Sequence, residues 1–364
     1  QSSGFKKMDQ QSSEMNSGSS SGSNQFSSIY KVSGTTILEA INKLQQIMGK
    51  ELFFGYIRVI VIGDQAAKKD MDKIISFLYM SPRIRGSAYL LIANDTAYNT
   101  LGTVNLNDSD LSSKSLENIL ERSVRSGASF PIAISDYYNI VSTEGWEPVI
   151  PQVEYKRNNE VNDNQSAGNS YDPSIVPEQR GYHILKNMAV FKDNKKIGVL
   201  NEKETLCFGL ITNKEIKSNY MITEDKKNND EYFSGFRILH NKSEIKTQIK
   251  KDKLLVSVNI DIQASLEEYA KSKDLVDIEA IKDFERRLSE QIKKDIEQVI
   301  NKVQLEYQSD IFGFGHKFFQ QHTRQWNEEY KDQWDEIFPD VKTQVNANVK
   351  VLNTGSKVER IINK

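Results

Sequence analysis

Between Ile278 and Val303 the apolar residues Ile278, Ile281, Phe284, Leu288, Ile292, Ile296, Val299, Ile300 and Val303 recur every three or four positions, with Glu, Lys, Arg and Gln between them. That spacing puts one greasy stripe on a solvated helix and predicts helix from Asp277 to about Gln308. Roughly thirty residues of helix span about 45 Å, the width of a domain, so the fold has to be laid against it. The helix runs into Asp310-Ile311-Phe312-Gly313-Phe314-Gly315 and then into a second helical pattern. There Phe319, Trp326, Tyr330, Trp334 and Ile337 fall at helical spacing and are expected to pack inward.

On either side of this stretch the period changes from helical to alternating. Leu254, Val256, Val258, Ile260, Ile262, Ala264 and Leu266 alternate with polar residues, and so do Val341, Val345, Ala347, Val349 and Val351. Each reads as a half-buried strand. The economical arrangement is an antiparallel sheet, wet on one face, with both helices on the other.

The amino-terminal half reads differently. A short strand at Ile29-Tyr30-Lys31-Val32 leads to Thr36 and Glu39, spaced as a capping box, and a helix through Ile37, Ile41, Leu44 and Met48 that stops at Gly49. Leu52–Gly63 is rich in β-branched and aromatic residues and predicts a central strand; Asp70–Tyr79 predicts a helix ended by Ser81-Pro82. Ala88–Ala93 predicts another buried strand, Leu116–Val124 and Ser135–Val141 predict helices, and Glu147–Pro151 is extended. Alternating strands and helices imply a sheet covered by helices. Met188–Phe191 and Ile197–Leu200 flank Asp193-Asn194 as a hairpin, and a polar stretch with two or three strands follows, Tyr232–Leu239 the clearest.

Composition then divides the chain. Residues 1–28 are mostly Ser, Gly, Asn and Gln and predict a flexible segment; 29–154 form an α/β domain of one or two subdomains. Residues 155–184 collect Asn, Asp, Ser, Gly and two prolines and read as a linker, and 185–364 form an α+β domain. The expected fold class is multi-domain α+β / α/β: an N-terminal mixed sheet with helices, then an antiparallel sheet packed on the long helix and the Trp-bearing helix. With 48 basic against 50 acidic residues the net charge is −2, which disfavours nucleic acid as a partner. The longest apolar run, around Val59–Ile62, is interrupted by Arg58 and far too short to cross a bilayer, so the chain as given is expected to be a soluble body.

Candidate chemistry is sparse. The single cysteine, Cys207, sits among apolar residues and reads as a buried thiol. Of the four histidines, His183, His240, His316 and His322, only the last two are close in sequence. Their spacing puts them about 600° apart around a helix, on opposed sides, which argues against a metal site. Gly313-x-Gly315 lacks the third glycine of a dinucleotide fingerprint and reads as a corner where glycine supplies backbone freedom, with Asp310 placed to cap the turn. Arg58, Arg83 and Arg85 adjoin apolar strands and fit either an anion site or structural, carboxylate-paired arginines. Neither a nucleophile-base pair nor a cofactor motif emerges, so the residues alone point to binding or scaffolding rather than catalysis.

Val32-Ser33-Gly34-Thr35-Thr36-Ile37, Leu52–Gly63, Ser81-Pro82-Arg83-Ile84-Arg85, Ala189-Val190-Phe191-Lys192, Ser309–Gly315, Trp326 and Trp334-Asp335-Glu336-Ile337-Phe338-Pro339 occur in this order. Together they resemble the Ger(x)C family, the C subunits of GerA-type spore germinant receptors, over nearly everything from Ile29 to Gly355. The resemblance makes Arg58, Arg83, Arg85, Asp310, Gly313, Gly315, Trp326 and Trp334 family-motif residues with structural roles. It implies a non-enzymatic lipoprotein subunit without cofactor, held by a lipid anchor on the outer face of the inner spore membrane. There it would assemble with an A subunit and a transmembrane B subunit and serve the response of dormant spores to nutrients. This sequence shows no leader, no lipobox cysteine and no early Trp-Asp segment, and Cys207 lies mid-domain, so an amino-terminally truncated mature body is expected. The rival reading is a nutrient-binding module whose ligand sits in the cleft between the domains.

Overall fold

The computed structural model describes residues 30–101, 104–105, 112–157, 180–227, 230–250, 253–268 and 278–353. The expected flexible segment 1–28 and the middle of the expected linker, 158–179, lie outside the described residues.

The first helix, α1 (Ile37–Met48), is opened by Thr36, whose hydroxyl accepts the Glu39 N–H at 3.1 Å, and closed by Gly49 at φ 61°. Residues 30–35 form no strand, and the expected strand from Leu52 begins only at Val59, because Phe54–Tyr56 wind into a tight turn closed by Ile57 N–H on Phe54 C=O. From there β1 (Val59–Gly63), α2 (Asp64–Lys69), α3 (Met71–Met80) and β2 (Tyr89–Ala93) follow. Next come α4 (Ala97–Leu101), β3 (Val104–Asn105), α5 (Ser112–Ser126), α6 (Ile134–Val141) and β4 (Val149–Arg157). The hairpin of β5 (Arg180–Lys192) and β6 (Lys195–Leu200) turns at Asp193 and Asn194, both at positive φ, the geometry that suits the twist of a two-residue hairpin.

These strands make a six-stranded mixed sheet in the order β1-β2-β4-β5-β3, with β6 also on β5. Thus Met188–Leu200, which the composition places after the boundary, is hydrogen-bonded into the sheet built before it. Strand β5 has a reason to be shared. Ala189 and Phe191 point into the core beneath α3 and α6, whereas Met188 and Val190 point into the large core of the second half.

The second half begins with α7 (Glu202–Ile211), where the sequence suggested only strands. Its apolar residues show no stripe because Thr205–Ile211 are all buried. A helix apolar all round is one enclosed on all sides, and periodicity cannot reveal it. The overlooked signal is its cap: Asn201 accepts the Glu204 N–H and Glu204 accepts the Asn201 N–H, each at 2.9 Å. Strands β7 (Asn219–Lys227), β8 (Asp230–Lys250) and β9 (Lys253–Glu268) then form an antiparallel meander. Helix α8 (Ile278–Lys302) crosses its buried face and continues in one wide turn to Tyr307. After it come α9 (Phe314–Gln321), a run of short turns through Asp340, and β10 (Lys342–Asn353).

The strands at 254 and 342 are neighbours, with Val258 beside Val345 and Ile262 beside Val349, but they run parallel. This corrects the expectation of a wholly antiparallel sheet. The helical connection carries the chain back along the sheet before β10 starts, and a strand returning through such a crossover joins its predecessor in the same direction. The expected Trp-bearing helix is likewise not continuous. After α9 it breaks at His322 and Tyr330, which leaves Phe319 exposed while Trp326 and Trp334 are buried.

Candidate functional site

The residues singled out around the glycine corner converge on one buried carboxylate. Helix α8 ends at Gln308, which takes a left-handed conformation (φ 47°), and Gly313 turns the chain again at φ 71°. Between them Asp310 is enclosed, and its carboxylate accepts the N–H groups of Phe314 at 3.0 Å and Gly315 at 2.7 Å. These are the unsatisfied donors at the start of α9, so Asp310 closes that helix end. It also accepts the Trp334 indole N–H at 3.1 Å, which ties the second tryptophan to the corner.

Burial pushes the Asp310 carboxyl up to about 7, against the pull of the backbone and indole donors. Gly315 is needed for space rather than for its backbone angles: an added Cβ would stand 2.7 Å from Gly145 Cα and from the Trp334 ring. Trp334 and Trp326 meet at 5.2 Å between ring centroids, and Phe318 and Phe338 complete the aromatic cluster.

What this corner grips is the end of the first half. Glu147 N–H donates to Asp310 C=O at 2.9 Å, His316 N–H to Gly145 C=O at 3.2 Å, and the Trp146 indole to Ile311 C=O at 3.3 Å. Trp146 also stacks on the His316 ring, and Gly145, at φ 69°, lets the backbones close up beside Trp326. The hairpin is held in the same way. Ser309 Oγ donates to Phe191 C=O at 2.6 Å, Lys192 Nζ to Gln308 C=O at 2.7 Å, and the Tyr307 hydroxyl to Val199 C=O at 2.8 Å. Glu147 lies beside this contact, accepting Asp193 N–H, and burial foremost raises its carboxyl to about 7.

Sequence reasoning missed Gly145, Trp146, Glu147 and Tyr307. One signal was available: a glycine directly before one of only three tryptophans in the chain.

The remaining candidates do not join this cluster. Arg58 approaches Glu117 at 3.5 Å, Arg83 approaches Glu51 at 3.3 Å, and Arg85 is exposed; among the described residues no ion pair brings the three arginines together. His183 is buried against Thr100 C=O at 2.7 Å, and burial lowers its pKa. His316 stacks on Trp146 while His322 bonds to Thr247 C=O at 3.1 Å. Cys207 lies inside α7, where burial pushes the thiol up to about 12 and so suppresses thiolate chemistry. Among the described residues no group of three His, Cys, Asp or Glu could hold a metal ion, and no helix is long and apolar enough to cross a membrane. The corner spends its polar groups on its own backbone, so its chemistry is that of a joint.

Two family models match the chain, one in each half. Residues 186–355 match the family model described as spore germination B3/GerAC like, C-terminal, and residues 6–155 match that of the spore germination protein N-terminal domain. Spore germination protein GerQC of Bacillus cereus is 22% identical over 327 residues, covering 90% of this chain and 82% of the relative. Spore germination protein KC of Bacillus subtilis (strain 168) is 21% identical over 334 residues, covering 90% and 79%. Spore germination protein B3 of the same organism is 23% identical over 328 residues, covering 89% and 80%. The crystal structure of the GerBC protein superimposes with a TM-score of 0.60 at 18% identity, over 86% of this chain and 85% of that one, and so shares the fold.

Proposed function

The chain belongs to the spore germination B3/GerAC-like family, and from that premise we propose that it is the C subunit of a nutrient germinant receptor, a non-enzymatic docking body for the A and B subunits. A role in germination follows from the family itself. The docking role is supported by one observation above others, the uncovered apolar surface of the first third. Helix α1 carries an apolar stripe and buries none of its residues. Phe53 and Tyr56, whose rings meet at 5.3 Å, leave 73% and 80% of their surface exposed, and Met80 at the end of α3, which the Arg83–Glu51 ion pair ties to the same segment, leaves 79%. Large apolar side chains gathered in one region of a surface mark protein-protein or membrane contacts. The second half, by contrast, buries Trp326 and Trp334 with Phe314, Phe318 and Phe338 around them.

In this reading a lipid anchor upstream holds the body against the outer face of the inner spore membrane. The buried joint makes its two halves move as one, and the exposed first third meets the other receptor subunits. The test is co-purification: an anchored, full-length form is expected to bring receptor A and B subunits out of spore membranes. A deletion that left their assembly and the nutrient response unchanged would contradict the reading.

A further inference from the structure

Where α5 meets the loop 212–218, a half-enclosed cleft of about 330 Å³ opens between the two halves. Its size sits at the low end of small-molecule sites, suited to a ligand no larger than a dipeptide. One wall carries Glu121 and Arg125, four residues apart on α5 in the order that favours a helical ion pair. Yet among the described residues neither forms an ion pair or a side-chain hydrogen bond, and both side chains border the cleft. The opposite wall carries Glu215 and Lys217, 3.7 Å apart. Tyr89 and Val124 supply apolar surface between them.

The two walls are fixed relative to each other. Lys217 N–H donates to Arg125 C=O at 2.7 Å, and α5 ends at Gly127 (φ 69°), packed directly on Leu206 and Ile216. The cleft is therefore preformed, with a cation and an anion on each side. An anionic ligand would meet two carboxylates and a cationic one two positive charges, each a repulsion at short range. A molecule with both charges finds a partner for each: its carboxylate with Arg125 and Lys217, its ammonium with Glu121 and Glu215.

We propose that this cleft binds a small zwitterion of up to dipeptide size. The cleft shares no lining residue with the exposed side chains assigned to docking, so either can fail without the other. The test is isothermal titration of the full chain at neutral pH with L-alanyl-L-alanine. N-acetyl-alanyl-alanine, which lacks the ammonium, and alanyl-alanine amide, which lacks the carboxylate, serve as controls. The dipeptide is expected to give saturable heat, and each control to bind at least about tenfold more weakly, about 1.4 kcal/mol. Arg125→Ala and Glu121→Gln, both at exposed positions, should each weaken the dipeptide by a similar factor without moving the melting temperature. A flat titration, heat that survives both substitutions, or equal binding of the acetylated control would overturn the proposal.

Discussion

Two sets of residues that look alike in the sequence, the arginines near the first strand and the motif from Asp310 to Trp334, end in opposite environments. Arg58, Arg83 and Arg85 lie in an exposed region where α1 buries nothing and where Phe53 and Tyr56 face outward. Asp310, Gly313, Gly315, Trp326 and Trp334 are enclosed and most of them bond to or pack on one another. A motif can be specific because a partner reads it or because the interior leaves no alternative. Here the first set lies exposed, and the second holds two halves of one chain together.

The contrast should be largest in stability. Asp310→Ala would leave two backbone donors and one indole donor buried without an acceptor, a loss of about 3–5 kcal/mol. Denaturant unfolding of the full chain would measure it, and a loss under about 1 kcal/mol would mean that water reaches those donors. Gly313→Val should cost about 2–3 kcal/mol, since the backbone sits at φ 71° and a Cβ would stand 3.2 Å from the Trp146 ring. A lowered melting temperature is the expected readout, and an unchanged one would make the corner ordinary.

Acid titration sharpens the same comparison on a smaller scale. The carboxyls of Asp310 and Glu147 rise from ordinary values of 3.8 and 4.5 to about 7 in the folded protein. A group held above its unfolded value stabilises the fold below that value and loses the contribution as pH climbs through the folded one. The melting temperature should therefore fall between about pH 4.5 and 7, and Glu147→Gln should flatten part of that slope while keeping an acceptor for Asp193 N–H. The smallest effect belongs to the other region. Arg58→Ala, Arg83→Ala and Arg85→Ala should each change stability by no more than about 0.5 kcal/mol, because exposed ion pairs contribute little.

Much of this arrangement can be read before any coordinates are seen, and the failures have physical causes. Helix α8 and strand β9 are legible because each is half wet, so that burial writes a period of 3.6 or 2 into the chain. Helix α7 is illegible to the same test because it is dry on every side. The direction of β10 is hidden because alternation records which face is buried and not which way a strand runs. Within the joint, Asp310 and Gly313 can be read as a cap and a turn from their own neighbourhood. Tyr307 cannot, and Gly145 and Trp146 show only the rarity of a glycine-tryptophan pair, since all three matter for what they touch far along the chain.

The central claim is that the exposed first third docks and the enclosed second half supports it. It is tested most directly by capture of receptor A and B subunits from spore membranes with an anchored form carrying Phe53→Ser, Tyr56→Ser and Met80→Ser. The account predicts a lost or much reduced capture at an unchanged melting temperature. Full capture by that variant would contradict it.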